Sequence, residues 1–316
     1  MAEPRFLQLH AADTAAERAA ACAALQEAQA CIAPKYFYDR LGSLLFEAIT
    51  ALPEYYPTRT EAGIFARHGT AMAEAIGSIG TMVDLGAGNC AKAAALFALL
   101  EPAHYVAVDI SVEFVGDALR RLQRAHPRIV MTGLGIDFAA AFDPPAGLLR
   151  GRPLFFYPGS SIGNFEPDDA LALLRRVRRH AEGGCLLIGV DLVKATDVLE
   201  AAYDDALGVT AAFNLNALRH LNHVIGSDFD TRQWRHVARY DEAASRIEMH
   251  LQARAPVQVG WPGGGRRFDA GESILTEYSH KYQPAQFESL LHDAGFARAR
   301  CWRDEHDAFA VFLAHA

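Results

Sequence analysis

The chain has 316 residues, 51% of them hydrophobic and 22% charged, and a formal net charge of −8. That is the balance of a soluble globular protein, long enough for one large domain or two modest ones. An acidic chain without a basic block argues against nucleic acid as a partner, and no apolar run is long enough to cross a bilayer. The arginines at 175, 176, 178 and 179 read as the solvated face of a helix. The five cysteines, Cys22, Cys31, Cys90, Cys185 and Cys301, form no metal pair or redox motif. Cys185 and Cys301 lie in apolar runs and are expected to be buried thiols, which points to a reducing cytoplasm. The opening MAEPRFLQLH lacks the basic and apolar regions of a secretory signal.

In chain order, residues 13–31 predict an Ala-rich helix with Asp13 or Thr14 as its N-cap. Residues 36–60 are aromatic-rich and end at a proline-containing turn, and a helix is expected over 61–76. Strands at 82–85, 105–110, 129–133, 154–157 and 185–190 then alternate with helices at 91–100, 112–125 and 167–181. Such alternation predicts a parallel sheet with right-handed crossovers and a ligand outside the C-terminal strand ends. The loops there are 86–90, 109–111, 137–138, 158–164 and 191–194. A helical region at 195–225 and alternating strands at 234–240, 246–253 and 268–278 then read as an α+β insertion. A helix at 284–294 and strands at 297–303 and 308–313, joined by a charged loop, suggest a terminal hairpin.

Residues 81–110 carry the chemistry. An apolar strand ends in Asp84, Gly86-Ala87-Gly88 turns the backbone, a helix follows, and a second strand ends in Asp109. Glycines let a ligand approach where side chains would block it. An acid at the second strand tip can accept from both hydroxyls of a ribose. Two nucleoside cofactors fit. Gly86-x-Gly88-x-x-Ala91 departs from the dinucleotide fingerprint only by a tolerated alanine, so a nicotinamide dehydrogenase stays open. The cationic, phosphate-free S-adenosylmethionine fits better beside Asp84, which would repel a pyrophosphate. The fold class expected is α/β: a Rossmann-like parallel sheet with a terminal antiparallel hairpin, the layout of class I S-adenosylmethionine-dependent methyltransferases, plus an inserted α+β domain. The expected division is 1–60 as an N-terminal helical segment, 61–194 with 281–316 as the core, and 195–280 as the substrate domain.

Five longer strings are more specific than the glycines: PKYFYDRLGSLLFEAITALPEYYPTRTE (34–61), DLGAGNCAK (84–92), GSSIGNF (159–165), AYDDALGVTAAFNLN (202–216) and TEYSHKY (276–282). With DF (137–138), DLVK (191–194) and RIEM (246–249), and in this order over roughly 34–314, they resemble the histidine Nα-methyltransferases of ergothioneine biosynthesis. The resemblance implies trimethylation of the α-amine of L-histidine to hercynine with S-adenosylmethionine, by a cytoplasmic monomer. It implies that Tyr38, Gly86, Lys92, Asp109, Asp137 and Phe138 meet the cofactor. It implies that Tyr55, Gly159, Asn164, Tyr203, Met249, Glu277 and Ser279 meet histidine, with Asn164, Tyr203, Glu277 and Ser279 closest to the chemistry.

The residue types suit those roles. Glu277 and Ser279 alternate by two, so on a strand a carboxylate and a hydroxyl share one face and can grip both imidazole nitrogens. Asn164 suits an amine or a carboxylate, and Tyr55 and Tyr203 bring phenolic hydroxyls. Lys92 could meet the cofactor's carboxylate or brace the loop. Blander readings exist for each: packed aromatics at Tyr55, a turn residue at Asn164, an exposed helix edge at 203–205, a helical Glu277–Lys281 pair. His220, His223 and His250 do not make a metal set. The competing functions are methylation of another amino acid or small amine, a dehydrogenase, and a non-catalytic cofactor-binding module.

Overall fold

The computed structural model describes residues 3–9, 14–110, 112–138 and 142–316. The cap expected from Asp13 or the Thr14 side chain falls outside what it describes. In chain order come β1 (Arg5–Gln8), α1 (Thr14–Gln26), α2 (Arg40–Thr50), α3 (Tyr56–Ile76), β2 (Thr81–Leu85), α4 (Ala91–Ala94), α5 (Phe97–Leu100) and β3 (His104–Asp109). Then follow α6 (Val112–Ala125), β4 (Val130–Gly135), β5 (Pro153–Tyr157), α7 (Pro167–His180), β6 (Cys185–Asp191), α8 (Thr196–Tyr203) and α9 (Val209–Ile225). Last are β7 (Trp234–Asp241), β8 (Arg246–Ala253), β9 (Val257–Trp261), β10 (Gly264–Phe268), β11 (Ser273–His280), α10 (Pro284–Asp293), β12 (Arg298–Arg303) and β13 (Phe309–His315). The chain divides into two compact units: Met1–Ala11, Pro57–Val193 and Lys281–Ala316 form the first, Ala12–Tyr56 and Lys194–His280 the second.

The first unit is built on an eight-stranded sheet in the order β1-β4-β3-β2-β5-β6-β13-β12. Its strands run parallel except β13, antiparallel to β6, and β12, antiparallel to β13. Strands β2, β5 and β6 are buried at every residue because helices cover both faces, which is why they read as continuous apolar runs. Successive side chains still point to opposite faces. Val83, Val106, Phe155 and Ile188 join the core that includes α7 and α10, while Met82, Tyr105, Phe156 and Leu187 join the one that includes α3, α5 and α6.

Local pattern missed several features here. Strand β1, four residues long, is too short to show a period; it pairs with β4, where Gly133 leaves room for the Phe6 ring. The helix expected at 91–100 is two short pieces, because Leu96 and Leu99 bond three residues back and tighten the turn. Helix α3 starts at Tyr56 rather than 61; Pro57 sits in its first turn, where its missing N–H costs nothing. Of the four arginines, Arg175 and Arg178 bond the carbonyls of Asp293 and Gly295 at the end of α10, and Arg176 bonds the Phe138 carbonyl. Cys185 is buried as expected, but Cys301 is exposed on the edge strand β12.

In the second unit, antiparallel strands run β11-β8-β7, and β9 and β10 form a separate hairpin. Its core gathers Phe37, Phe213, Trp234, Leu251 and Phe268 with α8 and α9. The helical region expected at 195–225 breaks into α8 and α9. Gly208 takes φ +74°, and the Asp205 carboxylate accepts from the N–H groups of Val209 and Thr210 (3.0 and 2.7 Å). Asp205 is therefore a buried cap rather than part of an exposed helix edge. The strand expected at 268–278 is the end of β10, a turn, and β11. The β9–β10 hairpin, turning at Gly263 (φ +84°), was not foreseen. Among the described residues no helix is long and apolar enough to cross a membrane.

Candidate active site

Strand β2 ends under the glycine turn. Gly86 and Gly88 have φ of +70° and +51°, a region open to glycine, and a Cβ built on either would meet nothing within 4 Å. The turn thus presents bare backbone to open space. Gly88 N–H donates to Asp109 Oδ2 (2.8 Å), so the acid at the tip of β3 is oriented by the loop it faces. Asp84 lies beneath, 2% exposed. The Tyr105 hydroxyl donates to its Oδ2 (2.6 Å), while Oδ1 is buried without a hydrogen-bond partner. Burial raises the Asp84 carboxyl to about 7; the Tyr105 bond opposes this and Asp109 adds to it. An orphaned carboxylate oxygen under an uncovered glycine turn fits a cationic ligand with a ribose, as S-adenosylmethionine is. Asp137 and Phe138 follow β4 in the neighbouring loop, and the Phe138 ring meets Tyr157 edge-on at 5.7 Å.

The loop after β5 is held from two sides. Glu61, on α3 and 1% exposed, accepts from Gly159 N–H (2.8 Å) and from Lys92 Nζ (2.6 Å). It lies across β6 at Gly189, where a Cβ would come within 2.1 Å of Glu61 Oε1. Gly159 takes φ +80°, and a Cβ there would meet Lys92 Nζ at 2.9 Å. On the other side, Asp191 N–H donates to Ser160 Oγ (2.8 Å), and the Asp191 carboxylate pairs with buried Lys281 Nζ (2.9 Å). Ser160 is itself left-handed (φ +60°) and precedes a short 3₁₀ turn, Ser161–Asn164. Asn164, half-buried, thus ends a braced turn. Lys92 thus reaches that loop through Glu61, which both groups share. Glu61, Ser160 and Asp191 were not singled out from sequence, and Lys281 only as a helical partner for Glu277. A glycine inside the apolar strand β6 was the available signal that something approaches it closely.

The second unit assembles another set. A bulge between Leu275 and Glu277 shifts the register of β11, after which Glu277 pairs with Met249 and Ser279 with Ile247. Glu277 and Ser279 therefore share one face, as their alternation predicted, and Met249 lies on it too; the stretch is a strand, so the helical Glu277–Lys281 pair does not form. The Tyr203 hydroxyl at the end of α8 lies 2.7 Å from Ser279 Oγ, and the Tyr55 ring stands edge-on to Tyr203 at 6.3 Å. Tyr38 sits in an aromatic cluster with Phe46 and Phe213, at 5.9 and 5.7 Å. The residues expected at the histidine site thus divide: Tyr55, Tyr203, Met249, Glu277 and Ser279 belong to the second unit, Gly159 and Asn164 to the first. The residues expected to meet the cofactor lie in the first unit except Tyr38.

A glycine turn over a buried acid, a second acid on the next strand tip, and a parallel sheet closed by an antiparallel hairpin define a class I S-adenosylmethionine-dependent methyltransferase. Residues 17–316 match the family described as histidine-specific, S-adenosylmethionine-dependent methyltransferases, and the chain belongs to that family. It is 39% identical over 300 residues to the histidine N-alpha-methyltransferase of Mycobacterium tuberculosis, covering 92% of each chain. It is 38% identical to that of Mycolicibacterium smegmatis, over 96% of this chain and 97% of the relative. The ergothioneine biosynthesis protein 1 of Neurospora crassa is 31% identical over 84% of this chain, which spans 31% of that longer protein.

Proposed function

We propose that this protein trimethylates the α-amine of L-histidine to hercynine, a step of ergothioneine biosynthesis. Family membership supports the reaction. The observation that carries the substrate is the shared face of Glu277, Ser279 and Met249, with Ser279 hydrogen-bonded to Tyr203. A carboxylate can accept from one imidazole N–H while a hydroxyl serves the other nitrogen, and an apolar thioether lies beside the ring.

Bound S-adenosylmethionine supplies a methyl group on a positively charged sulfur. Gly86, Asp109, Asp137 and Phe138 would hold its nucleoside, and Lys92 and Tyr38 are further cofactor contacts in this reading. The unpartnered oxygen of Asp84 suits its cationic end. The nucleophile is the neutral α-amine, whose reference pKa of about 8 makes that form accessible near neutral pH. Asn164 on its braced turn can take the amine or carboxylate, and Tyr55 and Tyr203 the carboxylate. The contribution of these residues is orientation of the lone pair rather than covalent catalysis. Tyrosine faces favour the quaternary ammonium product modestly. The reading includes a cytoplasmic monomer, consistent with five free cysteines and checkable by light scattering.

Incubation with S-adenosylmethionine and histidine should give mono-, di- and trimethylated histidine by mass spectrometry; absence of all three rejects the reading. Glu277→Ala should raise KM for histidine by about tenfold or more, the loss of a hydrogen bond to a charged group. An equal loss with an apolar amino acid would mean a different amino-acid substrate.

A further inference from the structure

Helix α8 ends at Tyr203, and the last carbonyls of a helix have no partner within it. The Tyr203 carbonyl finds one in His236 Nε2, 2.7 Å away on β7. His236 Nδ1 lies 2.8 Å from Asn214 Nδ2, and the same amide nitrogen lies 3.2 Å from the His250 carbonyl. The His236 side chain is 2% exposed and Asn214 is fully buried. His236 pairs with Leu251, which puts it on the sheet face that carries Met249 and Glu277.

The protons in this chain are dictated by its ends. Both backbone carbonyls can only accept. Nε2 of His236 must therefore bear hydrogen to meet Tyr203. Asn214 must turn its amino group toward the His250 carbonyl, so its second N–H points at Nδ1, which accepts. The ring is neutral, in the Nε2–H tautomer, and protonation of Nδ1 would set two donors face to face. Burial pushes the His236 pKa below its ordinary value, in the same direction. It outweighs the Tyr203 bond and the carboxylates of Asp204, 4.0 Å from Nε2, and Asp205, which favour the charged ring. The result is a continuous series from α9 through β7 and α8 to β11: Asn214, His236, Tyr203, Ser279.

We infer that His236, oriented by Asn214, is a positioning residue that fixes the end of α8 and so places the Tyr203 hydroxyl against Ser279 in the substrate cluster. The inference rests on the reading of Tyr203 and Ser279 as histidine-binding. A phenol is carried rigidly by its backbone, and displacement of a binding group by about 1 Å can cost a large factor in activity.

The test compares His236→Leu, which removes the donor, with His236→Gln, whose terminal amide nitrogen can replace Nε2. His236→Leu should raise KM for histidine about tenfold while KM for S-adenosylmethionine stays within about twofold, and His236→Gln should recover most of the loss. In a Tyr203→Phe background, His236→Leu should add less than about twofold, since both act through one hydroxyl. Equal changes in both KM values, no recovery with Gln, or full additivity would overturn the inference. Imidazole ¹⁵N NMR of the wild-type chain reads the tautomer even if the Leu variant does not fold. A neutral Nε2–H ring at pH 7 is expected, and an Nδ1–H or charged ring overturns it. A wild-type chain inactive on histidine would reject the substrate reading, while the NMR result would still decide the hydrogen-bond series.

Discussion

Asp84 joins the sheet to the ligand loop at a cost that depends on pH. An unfolded aspartate titrates near about 4. Burial lifts the folded group to about 7. Between these values the folded chain binds more protons than the unfolded one, so stability falls as pH rises from about 4 to about 7, then levels off. The penalty is on the order of 4 kcal/mol for the fully ionised group. Asp84→Asn should flatten this slope in urea unfolding measured at pH 5 and pH 8; an unchanged slope would place the titration elsewhere. Glu61 offers a second test. Its oxygens are committed to Gly159 and Lys92, so the Cβ in Gly189→Ala cannot be met by a free swing of the side chain. Gly189→Ala and Glu61→Gln should therefore share a phenotype: lower kcat/KM by about tenfold or more, with the fold retained by circular dichroism. Normal activity in Gly189→Ala would show the clamp to be dispensable.

Among elements, edge strand β1 is the clearest case of stability that local pattern concealed. It pairs with four residues of β4, and the Arg120 guanidinium stands 5.3 Å over the Phe6 ring. Removal of residues 1–9 should expose the β4 edge and an apolar site, lowering stability by about 2–4 kcal/mol and promoting aggregation, read by urea midpoint and light scattering. The long core strands and helices were legible because their period survives over many residues. Strand β8 and helix α6 fall where the pattern placed them. The break between α8 and α9 was not legible. It depends on Asp205 capping α9 beside Gly208, two residue types that disfavour a helix interior but do not by themselves say which of them ends the helix. Candidate-site residues followed the same division. Glu277 and Ser279 could be paired from spacing alone, whereas Glu61 meets Gly159 across 98 residues.

For the whole molecule, ligand linkage separates a methyltransferase from a nicotinamide dehydrogenase. S-adenosylmethionine at a hundred times its Kd should stabilise the chain by about 2.7 kcal/mol against unfolding, whereas a nicotinamide dinucleotide should leave the thermal midpoint unchanged. The opposite result would revive the dehydrogenase. Asp109→Ala should abolish most of the stabilisation, because the acid that orients the glycine turn is the one proposed to accept from the ribose. By itself the sequence determined the alternation of strand and helix, the glycine turn with its two acids, and the acid–alcohol pair near residue 277. These are consequences of neighbouring residues and of side-chain period. Only the folded chain decided which partners those groups acquire: Tyr105 for Asp84, Glu61 for Lys92 and Gly159, Lys281 for Asp191, and His236 for the Tyr203 carbonyl. A buried polar group must be satisfied, but its partner is set by packing between distant segments, which local pattern does not encode.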